Sequence, residues 1–470
     1  MNRPTYILLA FSFSMFTSCG GQTMQDTQAE GDLKAEKSFM ENLKNSRQWS
    51  SFRGHYARGY LDNANLPDSW NMETLENVRW KIPIPGLGLS CPVVWDETIF
   101  ITTAISDADN KGIKIGMYGD GEPVDDESVH KWMVYAIDKS SGEILWERTA
   151  HTGIPEVKRH PKSSHANPTV ATDGAYVVAF FGSEGVYCYD FDGTLLWEKD
   201  FGVLMSSAHG ADFAEWEFAS SPIIYQDRVI IQADVRDHSF LAALDIKTGE
   251  FIWKQKRNDW PGWCTPNIYY YNGLARVAVN GFQHRGGYDF ETGEEVWKMS
   301  GGGDVPIPTP VLYKEMIFFN SAHGALNPIL AIKTGATGNI RYPEGIRQDE
   351  SVAWFKERGG AYMQTLLVYG DQLYNLRWNG NLACFDAASG DEKYRETIDT
   401  KSFIASPVAA DGRIYTISEE GEVFIIEAGP SYRLINSIPL GEITLATPAI
   451  VDGMIIFRTT GHLIGISKQE

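Results

Sequence analysis

The stretch ALDIKTGEFIW, from Ala243 to Trp253, decides the fold of this chain. It predicts the end of one β-strand, a tight turn and the start of the next strand, because Asp245 can hydrogen-bond the turn backbone and Gly249 can adopt the positive φ that the turn needs. Trp253 follows the glycine by four residues. The same Gly-x-x-x-Trp spacing recurs at Trp146, Trp197 and Trp297. Four copies of one hairpin indicate a repeat protein.

A second marker precedes each hairpin: a small residue, often followed by proline, begins a short apolar strand. It occurs eight times, at Cys91, Asn167, Ser221, Thr265, Thr309, Thr365, Ser406 and Thr447. Most intervals are 41 to 56 residues, which suits a blade of four short strands. We label the strands A (innermost) to D and place the tryptophan on strand D. The sequence therefore predicts an all-β, eight-bladed β-propeller.

The last repeat predicts how the ring closes. It has strands A to C but no strand D, since only three residues follow Ser467. An unassigned D strand lies upstream, where NVRWKIPI carries Trp80 without any preceding A to C strands. We expect this N-terminal strand to complete blade 8, so that the ring has no open edge.

The first residues predict export and a lipid anchor. Tyr6 to Phe16 is apolar but too short to span a bilayer, and FTSCG places small residues before Cys19. This resembles the lipobox of a bacterial lipoprotein, in which the cysteine is lipidated; an ordinary cleaved signal is the alternative. The expected domains are a signal peptide (1–19), a flexible tether (20–46), a lead-in segment (47–78) and the propeller (79–468).

Three blades lack the tryptophan in this reading. Its position falls on Ile340 in blade 5, Tyr394 in blade 6, and Leu434 or Ile435 in blade 7. Truncating a buried tryptophan to alanine costs about 3–5 kcal/mol, so we expect these blades to be the looser part of the ring.

The remaining cysteines are expected to be free thiols, mostly buried. They are Cys91, Cys188, Cys264 and Cys384. In an eight-bladed ring no two of them fall at bridging distance.

The formal net charge of -20 argues against nucleic acid and against anionic membrane surfaces, because both would repel the protein. Contact with a membrane is expected only through the lipid. The sequence does not fix the oligomeric state.

The repeats resemble those of the PQQ-like, or quinoprotein alcohol dehydrogenase-like, propeller family. Its tryptophan-docking motif A-x-D-x-x-T-G-x-x-x-W is met in full between Ala243 and Trp253, and the structural tryptophans would be Trp80, Trp146, Trp197, Trp253 and Trp297. The opening segment is similar to that of secreted or lipid-anchored members. A BamB-related lipoprotein type implies a scaffold in outer-membrane barrel assembly.

The same resemblance implies an alternative, a PQQ-dependent oxidoreductase that holds the quinone with calcium. Such enzymes carry two adjacent cysteines and a Glu, an Asn and an Asp around the quinone. This chain has no Cys-Cys pair, and none of those roles can be assigned to a position. We therefore expect no cofactor, with PQQ and calcium as the alternative.

In a propeller, the D-to-A links and the B-to-C loops emerge on one rim, which we call the loop face. By this segmentation nine of the ten histidines fall there, as do the long insertions. Long loops on a rigid scaffold are where binding residues concentrate. The candidate binding residues are His151, His160, His165, His209, Trp216, His238, Trp260, Trp263, His284, Arg285, His323, Arg377, Trp378 and His462. Trp354 was assigned to the same loops.

These residues suit an envelope protein or a glycan, since exposed aromatic rings beside Arg and His stack on sugars or anchor partners. The alternative is that they cap blade cores and satisfy loop backbone. No catalytic or metal-binding set can be recognised. A glycan-active enzyme would need a carboxylate pair, for which Asp212, Glu215 and Glu217 lie on a suitable loop. We expect a non-catalytic, lipid-anchored envelope protein at the outer membrane, facing the periplasm or the surface.

Overall fold

The computed structural model describes residues 47–108, 112–116, 121–207, 215–323, 326–341 and 350–469. The predicted signal peptide, the predicted tether and Cys19 lie outside the described residues. Eight antiparallel sheets of at least four strands surround a central axis, which confirms the predicted eight-bladed β-propeller.

The strands follow the order A, B, C and D in each blade. Blade 1 contains Val93–Trp95, Thr98–Ser106, His130–Asp138 and Ile144–Gly153. Blade 2 contains Ala171–Thr172, Tyr176–Phe180, Val186–Asp190 and Leu195–Lys199. Blade 3 contains Ile223–Tyr225, Arg228–Ala233, Phe240–Asp245 and Phe251–Lys256. Blade 4 contains Asn267–Tyr271, Leu274–Val279, Arg285–Asp289 and Glu295–Met299.

The second half of the ring follows the same order. Blade 5 contains Val311–Tyr313, Met316–Asn320, Ile329–Lys333 and Val352–Lys356. Blade 6 contains Leu367–Tyr369, Gln372–Leu376, Asn381–Asp386 and Glu392–Thr397. Blade 7 contains Val408–Ala410, Arg413–Ile417, Glu422–Glu427 and Leu434–Pro439. Blade 8 contains Ala449–Val451, Met454–Arg458, His462–Ser467 and the N-terminal strand Val78–Pro83.

The ring closes as predicted. Val78–Pro83 pairs antiparallel with His462–Ser467, and Trp80 lies opposite Gly465. The backbone ladder of blade 8 therefore joins the two ends of the propeller. Val78–Pro83 supplies the outer strand D that the C-terminal repeat lacks.

Strand C makes room for each tryptophan with a small residue and a register shift. Ala243 faces Trp253 across the sheet, and the register slips directly after it. The ring then packs on the turn glycine of the next blade. Trp197, for example, lies against Gly249, where an added Cβ would come within 2.6 Å of the indole. The docked indoles of Trp80, Trp146, Trp197 and Trp253 each donate Nε1–H to a backbone carbonyl of the next blade, at 2.7 to 3.1 Å.

Blade 5 corrects the sequence interpretation. Its strand D is Val352–Lys356, in which Trp354 faces Ala331 and donates to the Ala387 carbonyl at 3.0 Å. Ile340 instead belongs to Gly338–Ile340, a short strand that pairs in parallel with strand D of blade 4. The prediction that blade 5 lacks a tryptophan was wrong, as was the assignment of Trp354 to a binding loop. An inserted segment had displaced it from the expected spacing.

Strand register assigns the tryptophan position in blades 6 and 7, and blade 4 shows a variant of the docking contact. Trp297 is fully buried but donates to the Tyr269 hydroxyl of its own blade at 3.0 Å, because the added strand covers it. In blade 7 the register skips one residue and places Asn436 opposite Ile425. The tryptophan position is therefore Asn436 and neither Leu434 nor Ile435. Tyr394 holds the position in blade 6, opposite Cys384.

Hydroxyl side chains join the inner strands into a girdle around the axis. Where the small-residue marker begins a blade, a Ser or Thr hydroxyl accepts the backbone N–H of the equivalent residue in the preceding blade. Six such bonds measure 2.9 to 3.1 Å, with acceptors Thr169, Ser221, Thr265, Thr365, Ser406 and Thr447. The marker therefore has a physical basis in contacts between blades.

The lead-in segment crosses the axial channel. Gln48–Trp49 pairs with strand A of blade 1. Arg53 donates to the carbonyls of Leu366 and Pro407 in blades 6 and 7, at 2.6 and 2.9 Å. The segment also contains the 3-10 turn His55–Ala57; the second, Gly182–Glu184, lies in blade 2. Residues 48–53 therefore connect the inner strands of blade 1 to those of blades 6 and 7.

The four cysteines of the described propeller are free and buried, as predicted. Among the described residues, no helix has the length and hydrophobicity needed to cross a membrane.

Candidate binding face

The observed strand order places the D-to-A links and B-to-C loops on one rim, so the described candidate residues lie on or next to the loop face. His209 and Asp212 lie outside the described residues. Several candidates extend strands rather than loops: His151 is in strand D of blade 1, and Arg285 and His462 begin strands. The face divides into one central cluster and several separate rim positions.

The central cluster joins the histidines of blade 1 and of the following link. His130 and His165 are buried, with ring centroids 5.1 Å apart. Trp132 packs against His151 at 5.2 Å and donates its indole N–H to the His165 carbonyl at 2.9 Å. The His165 Nδ1 lies 2.5 Å from a carboxylate oxygen of Glu217.

Burial controls the charge of this cluster. It lowers the pKa of His165 to about 3 and raises the pKa of Glu217 well above its usual range. Both shifts favour the uncharged forms, a neutral imidazole and a carboxylic acid. Glu217 also has a positive φ of 66°, which is unusual outside glycine. The Glu217 backbone N–H donates to Glu215 Oε1, and the Phe218 backbone N–H donates to Glu217 Oε1, so hydrogen bonds hold both sides of this residue.

The carboxylates of the blade 2–3 link do not form an open pair. Glu215 accepts backbone N–H groups from Ser206 and Glu217, at 2.8 and 3.2 Å. Glu215 and Glu217 are only 8% and 2% exposed. A third acid, Glu184, lies nearby; burial and then the charge of Glu217 raise its pKa to about 9. These groups organise the link rather than face a substrate cleft.

Two tryptophans extend the cluster toward blade 4. Trp216 lies 5.3 Å from Trp263 and 5.7 Å from His160, measured between ring centroids. Trp263 is buried and donates to the Glu217 carbonyl at 2.9 Å. Burial lowers the pKa of His160 to about 4. Trp263 and His165 were candidate binding residues. Both are buried, and their contacts are with other loop residues of this cluster.

The mouth of the channel on this face is bridged. Lys162, in the link between blades 1 and 2, forms a 2.8 Å ion pair with Glu419 of blade 7. Glu419 is 1% exposed and also accepts the backbone N–H of Gly116 from the blade 1 insertion. The blade 1 insertion and the link after blade 1 therefore contact blade 7, from which blade 1 is separated by blade 8. The sequence pattern gave no indication of this contact.

An aromatic platform lies on the rim between blades 3 and 4. Trp260 stacks on Phe282 with centroids 4.4 Å apart, and both rings are half-buried. They line a cavity of about 510 Å³ together with Gln283 and His284. His284 also forms an ion pair with Glu295. The described face also holds the half-buried Trp216 and Trp378, but here two stacked rings border a cavity.

The platform rests on a buried ion network that the sequence analysis missed. The Arg257 guanidinium bonds Asp234 at 2.7 and 3.0 Å and Asp259 at 3.2 Å. Asp259 accepts the backbone N–H groups of residues 260, 282, 283 and 284, at 2.8 to 3.2 Å. The network holds the two platform loops in one conformation. No local motif marks it, because its members come from different strands.

The remaining candidates are spread around the rim. His323 pairs with Asp304 at 2.8 Å and His462 pairs with Glu442 at 2.7 Å. His238 is exposed, and Arg377 and Trp378 are half-buried. Arg285 is fully buried and donates to Asn280 at 3.0 Å, so its side chain is not exposed on the loop face. The structure brings together the cluster residues but not this second set.

The described residues do not fit a quinone and calcium site. No group of three or more His, Cys, Asp or Glu side chains among them converges as a metal ion requires. The four thiols are separate, and the adjacent-cysteine disulfide implied by the resemblance has no counterpart. We derive no step through such a cofactor.

Comparisons with known proteins establish the family. The model described as "Outer membrane protein assembly factor BamB" matches residues 130–265 and 270–433, more than half of the chain. The chain therefore belongs to this family of PQQ-like β-propellers. No curated protein sequence matches it.

Solved structures agree with this assignment at the level of the fold. BamB from Moraxella catarrhalis is similar with a TM-score of 0.53 and 14% identity, over 77% of this chain and 98% of that chain. The quinohemoprotein alcohol dehydrogenase from Comamonas testosteroni gives 0.60 and 12%, over 94% and 84%. A europium-containing methanol dehydrogenase gives 0.59 and 11%, over 91% and 92%. At these identities the likeness concerns the fold alone.

Proposed function

We propose that the protein is a non-catalytic scaffold of the cell envelope that binds a protein partner through the loop face. Membership of the BamB family is the observation that carries this proposal. By analogy with the family description, the partner belongs to the machinery that assembles outer-membrane proteins.

The geometry of the loop face supports a docking surface. The channel mouth is bridged by the Lys162–Glu419 ion pair, and the carboxylates and histidines at its centre are engaged with each other. The Trp260–Phe282 platform offers two stacked, partly accessible rings and is held rigidly by the Arg257 network. Rigid aromatic anchors beside a shallow cavity are typical hot spots of protein interfaces.

The anchor is a second part of the proposal. A lipid on Cys19 would tether the propeller to the outer membrane through the segment before residue 47. The Cys19→Ala variant is expected to leave the membrane fraction and appear among soluble envelope proteins. Membrane retention of this variant would contradict lipid anchoring.

Crosslinking in intact cells tests the binding face. A photocrosslinker at the exposed His238 should capture the partner in the wild type, and Trp260→Ala should abolish the captured band. Tyr176→Ala is the matched control, since Tyr176 is a half-buried aromatic residue at the other rim. An unchanged band with Trp260→Ala would remove the platform from the interface.

A deletion strain tests the assembly role separately. Levels of outer-membrane barrel proteins should fall in the deletion and recover with the wild-type gene. Unchanged levels would contradict the assembly role while leaving the binding result intact.

A further inference from the structure

Arg458 is a buried cation between blades 8 and 1. It ends strand B of blade 8, Met454–Arg458, and is 3% exposed. Its guanidinium lies beneath Gly88 in the link that follows the closing strand, where an added Cβ would come within 2.6 Å of Nη2. The Gly88 backbone therefore lies directly against the guanidinium, and a side chain at residue 88 would displace it.

No protein group in the described part of the chain pairs with this guanidinium. Its Nε and Nη1 are buried without a hydrogen-bond partner. The contrast with Arg257 is sharp, because that buried side chain bonds two carboxylates, a tyrosine hydroxyl and a carbonyl. Burying a guanidinium without compensation costs several kcal/mol, so buried charges normally have a partner.

A second buried cation reinforces the positive field. Arg53 is fully buried in the channel, and its two bonds are to carbonyls rather than to a carboxylate. Its Nε also has no partner. Both guanidinium groups interact electrostatically with the buried Cys91 thiol. Burial lowers the pKa of Arg458 to about 10 and that of Arg53 to about 9, which agrees with two charges that lack a nearby anion.

We propose that Arg458 binds a small oxyanion, phosphate-like or carboxylate, between blades 8 and 1, with Arg53 adding to the attraction. A guanidinium presents a planar set of donors that matches two oxygens of such an anion. The anion would supply the acceptors that the protein does not. Both arginines lie outside the residues matched by the family model, 130–265 and 270–433, so the site is a property of this chain's closing segment.

Thermal unfolding of the full propeller tests the proposal. Sodium phosphate, sulfate and acetate are compared with sodium chloride at equal ionic strength. Because a ligand that binds only the folded state stabilises it, the midpoint should rise by at least about 2 °C at saturating oxyanion. A rise with phosphate and sulfate alone identifies a tetrahedral anion; a rise with acetate as well includes carboxylates.

Variants assign the effect to Arg458. Arg458→Leu should abolish the rise, and Arg458→Lys should weaken it because lysine lacks the planar fork. Arg276→Leu is the control: Arg276 is buried but bonded to the Thr334 carbonyl, so its loss should lower the midpoint without removing the oxyanion response. If Arg458→Leu does not fold, Arg458→Lys and Arg458→Gln carry the comparison.

Calorimetric titration of the wild type with inorganic phosphate gives an independent readout. One site is expected, with at least tenfold weaker binding in Arg458→Lys. No binding and no midpoint shift in the wild type, or an undiminished response in the Arg458 variants, would overturn the proposal.

Discussion

Replacing Trp354 by alanine tests the docking arrangement where the spacing of the repeat had placed Ile340. Trp354 is 4% exposed and donates to the Ala387 carbonyl at 3.0 Å. A buried aromatic side chain removes about 150–250 Å² from water, which corresponds to about 4–6 kcal/mol at 25 cal/mol per Å². Alanine retains a small part of this area, and the lost hydrogen bond adds about 1 kcal/mol. We expect Trp354→Ala to lower the free energy of unfolding by about 4 kcal/mol.

Urea unfolding followed by far-ultraviolet circular dichroism measures this loss without using tryptophan emission. Trp354→Phe keeps most of the apolar area but loses the indole donor, so it should cost about 1–2 kcal/mol. Ile340→Val is the matched control for the position first assigned by spacing, with about 1 kcal/mol expected. A loss below about 1 kcal/mol for Trp354→Ala, or a larger loss for Ile340→Val, would refute the assignment of strand D.

Three further predictions concern the turns, a buried acid and the girdle. Gly249→Ala should lower the free energy of unfolding by about 2 kcal/mol or more, because φ is +70° and the added Cβ would meet the indole of Trp197 in the preceding blade. Gly370→Ala is the control in the same unfolding assay. Its φ is +61° but the space around it is open, so it should cost only the conformational part, about 1 kcal/mol. The pKa of Glu184 is raised from 4.5 to about 9, so between these pH values the folded state retains a proton that the unfolded state has lost. The contribution of the protonated Glu184 side chain to stability is therefore full below pH 4.5 and declines as the pH rises toward 9. Glu184→Gln should therefore unfold at a higher temperature than the wild type at pH 8 and differ little at pH 4; equal midpoints at pH 8 would contradict the buried neutral acid. Ser221→Ala should cost about 1–2 kcal/mol, since it leaves the buried N–H of Thr169 without its acceptor, and a cost near zero would show that water replaces the hydroxyl.

The fold could be predicted because its signals are local and repeated. A turn glycine and a tryptophan four residues later define each hairpin, and the small-residue marker defines each inner strand. The closure followed from counting, since the last repeat lacked one strand and Trp80 lacked three. These inferences need only the order of the strands along the chain. The observed pairing of Val78–Pro83 with His462–Ser467 agrees with them.

Register and insertions were less predictable. The position of Trp354 depends on an added strand and a long link between strands C and D, which fixed spacing cannot follow. Asn436 depends on a one-residue register shift. Such shifts arise from packing between blades and leave no mark in a local pattern.

The sequence could predict which residues lie on the loop face, but not which of them contact each other there. The strand order alone assigns residues to the loop face. Whether a residue is exposed depends on how loops from different blades meet, and such contacts bury Arg285 and Trp263. The contact of Lys162 with Glu419 joins residues 257 positions apart, which no spacing rule can anticipate.

The functional differences of this protein from other propellers should lie where its repeats are interrupted. The blades share one docking geometry, so they specify a ring and little else. The N-terminal stretch from Gln48 to Pro83, by contrast, serves three purposes: it extends blade 1 at Gln48–Trp49, crosses the channel with Arg53, and completes blade 8 with Trp80. One segment thus couples ring closure to the buried positive charge near Arg458. Changes that loosen the closing strand should therefore also weaken oxyanion binding, whereas changes at the Trp260 platform should leave it intact.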